Sequence, residues 1–264
     1  MVKILEITDL NYQSFNDFNI SFNNNTFYSI VGSNKSGKST LFKILCGLIL
    51  TNNIVTCSKV VLNKNTKYRY IQKVGVVTTV ENNSFLFKKV MDELMYPLYN
   101  LNYNKKKAFD RINYLLKKFE LEDIIYKNIV ELDLYEKQQL LIIISLLHQP
   151  KVLLLDNSFA IFDKKESFKI INILKEIMID DKITIINFTS NLYETLASDY
   201  ILLLNNYQII KKIKPSELVD NDKLFYENNL EIPFIVDLNV KLRMYGLIHN
   251  DYYSINDMVN DIWQ

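Results

Sequence analysis

The nine residues GSNKSGKST, at positions 32–40, combine glycines, a lysine and hydroxyl side chains in a spacing that suits phosphate. They fit G-x-x-x-x-G-K-[ST]. Glycines let a loop wrap so that successive backbone N–H groups point inward at anionic oxygens, and the start of a following helix adds partial positive charge. Lys38 would bring a point charge to the β- and γ-phosphates of a nucleotide, and the Ser39 hydroxyl can ligate Mg²⁺. The candidate phosphate ligands are therefore Gly32, Ser33, Asn34, Lys35, Ser36, Gly37, Lys38, Ser39 and Thr40. Lys35 either adds a phosphate contact or stays solvated. A magnesium ion so placed needs a carboxylate from a neighbouring strand end. Asp156, directly after the apolar run 152–155, has that position and type.

The surrounding pattern predicts the elements that must hold these groups. β-Branched and aromatic segments at 2–8, 18–22 and 26–31 read as strands, and the third runs straight into the phosphate motif. An apolar, helix-compatible stretch at 41–48 leaves it. Further strands are expected at 59–62 and 74–77. Residues 88–147 read as helical, with Phe109, Ile112, Leu116 and Phe119 at helical spacing between lysines. A buried parallel strand at 152–155 is followed by helix 166–178, strand 183–187, helix 192–197 and strand 200–204. This alternation predicts βα units around a mostly parallel sheet with a helical insertion. A polar stretch at 216–222 leads into a helical tail in which Pro233 is the clearest breaker.

Composition narrows the class. The 264 residues carry 31 Lys plus Arg against 30 Asp plus Glu, which gives no support to nucleic-acid binding through a general basic surface. Two cysteines, Cys46 and Cys57, are too few for a disulfide framework and fit a reducing compartment. No apolar run approaches the ~18 residues of a membrane span, and the N-terminus does not read as a signal peptide. A soluble, cytosolic globular protein is expected. His148 and His249, far apart in sequence, make no metal-ligand spacing and read as structural, and Cys46 reads as a buried small residue. Only five glycines serve the chain, and two of them fall in the phosphate motif.

With GSNKSGKST and Asp156 in place, the sequence resembles the ATP-binding cassette (ABC) family, and within it the A subunits of energy-coupling-factor (ECF) vitamin and metal importers. VTTVENNSFLFKKVMDELMYPLYNLN, residues 77–102, follows that family's ungapped pattern with several positions replaced. The tail stretches NLEIPFIVDLNVKLRMYGL and SINDMVNDIW are similar to its C-terminal helical region. The resemblance implies an α/β P-loop NTPase of the ABC ATPase type. Its sheet would be mostly parallel, with N-terminal antiparallel strands, a helical subdomain at about 88–147, a nucleotide-binding domain over 1–218 and a C-terminal helical extension over 219–264. It implies ATP and Mg²⁺ as cofactors and a head-to-tail dimer, each ATP lying between one subunit's phosphate loop and the other's signature motif. An aromatic, Tyr12 or Phe15, would stack on adenine unless both pack in the core.

Set against this pattern, several positions depart from it. The Q-loop glutamine is Thr79, the catalytic glutamate after Asp156 is Asn157, and the switch histidine is Ser190. The signature L-S-G-G-Q falls on Leu132, Asp133, Leu134, Tyr135 and Glu136, while the D-loop keeps its aspartate as Asp163. The fourth motif position, usually glycine, is Lys35. Asn157 has no basic oxygen to take a proton from water, and general-base assistance is worth roughly 10²–10⁴-fold. Asp133 would aim an anion at the γ-phosphate, at ~4 kcal/mol per charge pair for 4 Å and an effective dielectric of 20. Alternatively, Asp133 is a helix N-cap, and Ser158 or Thr189 substitutes for what is missing. The resemblance and its departures predict a hydrolysis-impaired ATP-binding subunit, paired with a homologous ECF ATPase subunit as a heterodimer. The pair would serve a transmembrane coupling subunit and a substrate-binding membrane subunit at the cytoplasmic face of the cell membrane, with no nucleic-acid partner. A catalytically active homodimer and a nucleotide-responsive scaffold outside transport are the alternatives.

Overall fold

Alternating apolar side chains make the first two strands, β1 (Lys3–Tyr12) and β2 (Phe15–Asn23), an antiparallel hairpin in which Ile7 faces Ile20 and Leu10 faces Phe18. The computed structural model describes residues 2–51, 54–81, 83–248, 250, 252 and 258–260. His249 and most of the SINDMVNDIW stretch lie outside them. Two short strands, β4 (Val55–Cys57) and β5 (Val60–Val61), complete a four-stranded antiparallel sheet ordered β2-β1-β4-β5.

The second sheet carries the site. It contains β3 (Phe27–Val31), β6 (Val74–Thr78), β7 (Val152–Asp156), β8 (Thr184–Thr189), β9 (Tyr200–Asn205) and β10 (Gln208–Ile213), in the order β10-β9-β3-β8-β7-β6. All neighbours are parallel except β10, which pairs antiparallel with β9 at one edge. Every residue of β3 and β8 is buried, which is why these segments read as continuous runs without alternation.

Nine helices are described: α1 (Lys38–Leu45), α2 (Lys67–Ile71), α3 (Val90–Asn100), α4 (Lys105–Lys118), α5 (Leu134–Leu147), α6 (Lys164–Asp181), α7 (Leu192–Thr195), α8 (Asp222–Glu227) and α9 (Phe234–Met244). The expected helical stretch at 88–147 is α3, α4 and α5, interrupted by 3₁₀ turns at Glu122–Tyr126 and Ile129–Glu131. Helix α4 starts at Asn104, whose side chain accepts the Lys107 N–H at 2.8 Å. Its buried face, including Ile112 and Leu116, shares one core with Leu98, Ile143, the strand residue Leu153 and Leu174 of α6. Helices α8 and α9 bury Phe225, Ile235 and Val236 against Val31, Ile201 and Leu203. Pro233 stands at the N-cap of α9, where a missing N–H is harmless.

Three elements are absent from the sequence expectation. Strand β4 and helix α2 are too short to show a period. Strand β10 is an edge strand with mostly exposed side chains, and its hairpin turn, Asn206-Tyr207, has positive φ at both residues (46° and 62°) with no glycine to announce it. Helix α1 starts and ends three residues earlier than the expected 41–48 span. Among the described residues no helix is long and apolar enough to cross a membrane.

A buried ion pair ties the helical lobe to the rest. The Arg111 guanidinium on α4 donates to both carboxylate oxygens of Asp181 (3.2 and 2.5 Å) and to the Leu146 carbonyl at 2.8 Å, with both side chains nearly inaccessible. Removing one partner strands the other charge, so Asp181→Ala should lower the unfolding free energy by about 3 kcal/mol, read from urea denaturation.

Candidate nucleotide site

Strand register decides which groups meet. Thr78 pairs with Asp156, Asp156 with Phe188, and Phe188 with Ile30, while Val31 pairs with Thr189. The residues that follow β3, β6, β7 and β8, namely Gly32, Thr79, Asn157 and Ser190, therefore leave the sheet along one edge, the carboxyl ends of parallel strands where ligands of such sheets bind.

The loop between β3 and α1 is tightly confined. A Cβ on Gly32 would lie 2.2 Å from the Leu204 carbonyl oxygen and 2.6 Å from Ser36 Oγ, so no other residue fits. Gly37, at φ 109°, opens α1. Lys35 stands at φ 67°, the left-handed region, at about 1–2 kcal/mol that a glycine would not incur. A cavity of about 110 Å³ is lined by Ser33, residues 35–40 and Tyr207, while Asn34 is exposed beside it. The Lys38 ammonium is buried and donates to the carbonyls of Gly32 and Ser33, the latter at 3.1 Å. Burial lowers its pKa, and the Asp156 charge opposes that shift. Burial likewise pushes the Asp156 carboxyl up, against Lys38 and Lys43. Each charge is underpaid in solvation, and a magnesium-phosphate group would complete both. Ser39 and Asp156 offer hard oxygen donors, and Mg²⁺ commonly takes one or two such ligands and leaves the rest to water and phosphate. The residues present fit that ion.

Two of the replaced positions, Thr79 and Asn157, are joined. Thr79 Oγ1 donates to the Asn157 carbonyl at 2.9 Å. Asn157 sits at φ 48°, its N–H bonded to the Phe188 carbonyl (3.0 Å) and its amide 3.4 Å from Asp156 Oδ1. Neither hydroxyl that could replace the missing base is spare. Ser158 is fully buried and donates to the Val77 carbonyl at 3.0 Å, and Thr189 Oγ1 accepts the Asn191 N–H at 3.0 Å. Ser190 is exposed.

At the signature position Asp133 caps α5, accepting the Glu136 N–H at 2.7 Å, while Glu136 accepts the Asp133 N–H at 2.8 Å. Lys127 pairs with Glu136 at 3.3 Å. Two N–H groups at the helix start, those of Asp133 and Glu136, are thus taken by carboxylates of the same turn. Leu132 is buried and Leu134 exposed, whereas Tyr135 stacks on Phe162 with ring centroids 5.7 Å apart. Asp163 caps α6 by accepting the Glu166 N–H at 2.8 Å.

Of the two aromatic candidates for adenine stacking, Phe15 takes the packing alternative. Phe15 is fully buried, edge-on to Phe18 (4.9 Å) and Tyr207 (5.0 Å), and has no free face for a base, while Tyr12 is only partly buried. His148 ends α5, partly buried with its pKa lowered by burial, and Cys46 is buried. Two residues passed over in the sequence bear on the site. Gln138, fully buried on α5, accepts the Val80 N–H (2.7 Å) and donates to the Thr78 carbonyl (3.0 Å), bracketing Thr79. In the sequence it stands beside Gln139 at the polar start of an apolar run, with nothing in type or spacing to single it out. Glu194, buried beside the Ser190 loop, accepts from Asn187 Nδ2 at 3.0 Å; burial raises its pKa, and hydrogen bonds from Asn187, Thr189 and Asn191 oppose this.

A phosphate loop between a buried parallel strand and a helix, with a strand-end carboxylate two strands away in the sheet, defines a P-loop nucleotide-binding protein. The ABC transporter family model matches residues 15–160, and the chain belongs to that family. Similar proteins include the energy-coupling factor transporter ATP-binding protein EcfA of Pediococcus pentosaceus, 28% identical over 89% of this chain and 87% of that one. Another is EcfA1 of Oenococcus oeni, 28% identical over 100% of this chain and 98% of its own. Among solved structures, cbiO1 from Clostridium perfringens, part of the ABC transporter complex cbiONQ, shares the fold with a TM-score of 0.77 at 23% identity, covering 89% of this chain and 98% of that one.

The confinement of Gly32 gives a direct check. Gly32→Ala should abolish MgATP binding in a calorimetric titration, because the added methyl must displace either the β9 backbone or the loop. Retained affinity would mean the loop does not hold phosphate in this conformation.

Proposed function

We propose that this chain is the ATP-holding subunit of an ECF-type ABC importer, and the hydrolysis-impaired half of an ATPase heterodimer. The observation that carries this is the contrast at one sheet edge. The phosphate loop, Lys38 and Asp156 are complete, whereas Asn157 stands where a base is required and its hydroxyl neighbours are committed elsewhere. Names of relatives aligned over most of the chain support the ECF assignment.

In this reading the N–H groups of residues 33–39 and the start of α1 bind the phosphates, and Lys38 exchanges its loop carbonyls for phosphate oxygens. Ser39 and Asp156 would hold Mg²⁺, which would neutralise charge on the nucleotide's phosphates. Asn157 can orient a water by hydrogen bonding but cannot take its proton. Nucleotide bound here favours the closed pair to the extent that the closed pair binds it more tightly than the open one. The partner's phosphate loop faces Asp133 and Glu136, whose carboxylates cap α5 and disfavour a γ-phosphate. A transmembrane coupling subunit and a separate substrate-binding membrane subunit complete the importer, with this chain at the cytoplasmic face of the membrane; vitamins or metal ions would be the cargo.

Purification of the tagged chain from gently solubilised membranes of its own cell tests the assembly. A second, non-identical ABC ATPase and at least one polytopic membrane protein should co-purify in stoichiometric amounts. Recovery as a homodimer, or without any membrane protein, would contradict it. A finer check concerns the signature. Asp133→Ser keeps a good capping side chain, so stability should change by less than about 0.5 kcal/mol, while ATP hydrolysis by the assembled complex should rise.

A further inference from the structure

The turn between β9 and β10 brings a residue to the phosphate loop that neither the motif nor the Asp156 constellation contains. Among the described residues, Tyr207 is the one lining group of the loop cavity that comes from outside residues 33–40. Its N–H donates to the Ser36 carbonyl at 2.9 Å. Its ring lies so close over Gly37 that a Cβ there would stand 2.8 Å from Tyr207 Cδ1. The ring also meets Phe15 edge-on, at 5.0 Å and 89°, and Phe15 Cζ would lie 3.3 Å from the same Cβ.

The backbone at this turn makes the choice of residue informative. Asn206 and Tyr207 both have positive φ, 46° and 62°. Asparagine adopts that region readily, but the second position of such a hairpin turn belongs to glycine, and a bulky aromatic there is an outlier. An outlier held in place by a hydrogen bond on one side and ring packing on the other points to a role at the site it faces.

We propose that the Tyr207 ring is a wall of the nucleotide site and a positioning residue for the phosphate loop. The Tyr207 backbone N–H, which any residue but proline would supply, holds the Ser36 carbonyl; by covering Gly37, the ring fixes the loop in the conformation that presents its N–H groups to the phosphates of a nucleoside di- or triphosphate. The ring does this, not the hydroxyl. The proposal rests on the reading of residues 32–40 as a nucleotide site, and the experiment separates the two.

MgATP is titrated calorimetrically into the wild-type chain, Tyr207→Phe and Tyr207→Gly, with the melting temperature of each recorded without nucleotide. Tyr207→Phe should bind within about twofold of wild type, and Tyr207→Gly about tenfold more weakly. The nucleotide-free melting temperature of Tyr207→Gly should stay level or rise, because glycine adopts this turn without strain. A purely structural tyrosine would show the reverse: a lower melting temperature with unchanged affinity. Independently of any truncation, 3-fluorotyrosine placed at position 207 should change its ¹⁹F shift on saturation with MgATP. Wild-type affinity in Tyr207→Gly, or an unmoved ¹⁹F resonance at saturation, overturns the proposal and leaves the nucleotide reading intact. No binding by the wild-type chain overturns both.

Discussion

The site depends on how little room is left around Gly32. The central strand β3 is buried along its whole length between β8 and β9, and its last residue delivers the chain to a point where the Leu204 carbonyl would lie 2.2 Å from any added Cβ. From there the loop can only turn outward and back, through Lys35 and Gly37 at positive φ, into α1. Because β7 and β8 run parallel to β3 and in register, Asp156 and the residues after it arrive at the same edge without further adjustment. The four-stranded sheet and the helical lobe pack around this frame.

Electrostatics at that edge are arranged for holding an anion and a cation together. The buried Lys38 ammonium borrows two backbone carbonyls, and Asp156 is partly desolvated with its pKa raised. A magnesium nucleotide would satisfy both. Nothing comparable serves proton transfer. Asn157 is tied to Thr79 and Phe188 through its backbone, and Gln138 locks the segment around Thr79 through two hydrogen bonds. At the start of α5, Asp133 and Glu136 bond each other's N–H groups and bring two carboxylates to the helix end that a phosphate would approach. The proposed reading of this combination is a subunit that retains nucleotide with weak turnover.

The parallel strands and the phosphate loop were legible in the sequence because burial on both faces leaves continuous apolar runs, and because the loop's geometry demands glycine at two places. The short strand β4, helix α2 and the edge strand β10 were not, since each lacks either length or a buried face. The candidate site residues legible in the sequence are those recognisable by type, whereas residues acting through backbone contacts carry no such mark. Gln138 acts through a pair of main-chain bonds and Tyr207 through the turn it distorts, and neither contact has a spacing signature. The sequence position of Phe15 allows either stacking or core packing, and the closing of the β1–β2 hairpin turns it into the core.

The claim that matters most is that this chain holds MgATP without hydrolysing it. A single-turnover assay, with the purified chain in excess over γ-labelled MgATP, measures that directly. The nucleotide should be retained as triphosphate, with phosphate release no faster than in a Lys38→Ala control. Release of stoichiometric phosphate that disappears in Lys38→Ala would contradict it, and would mean that another group takes the proton that Asn157 cannot.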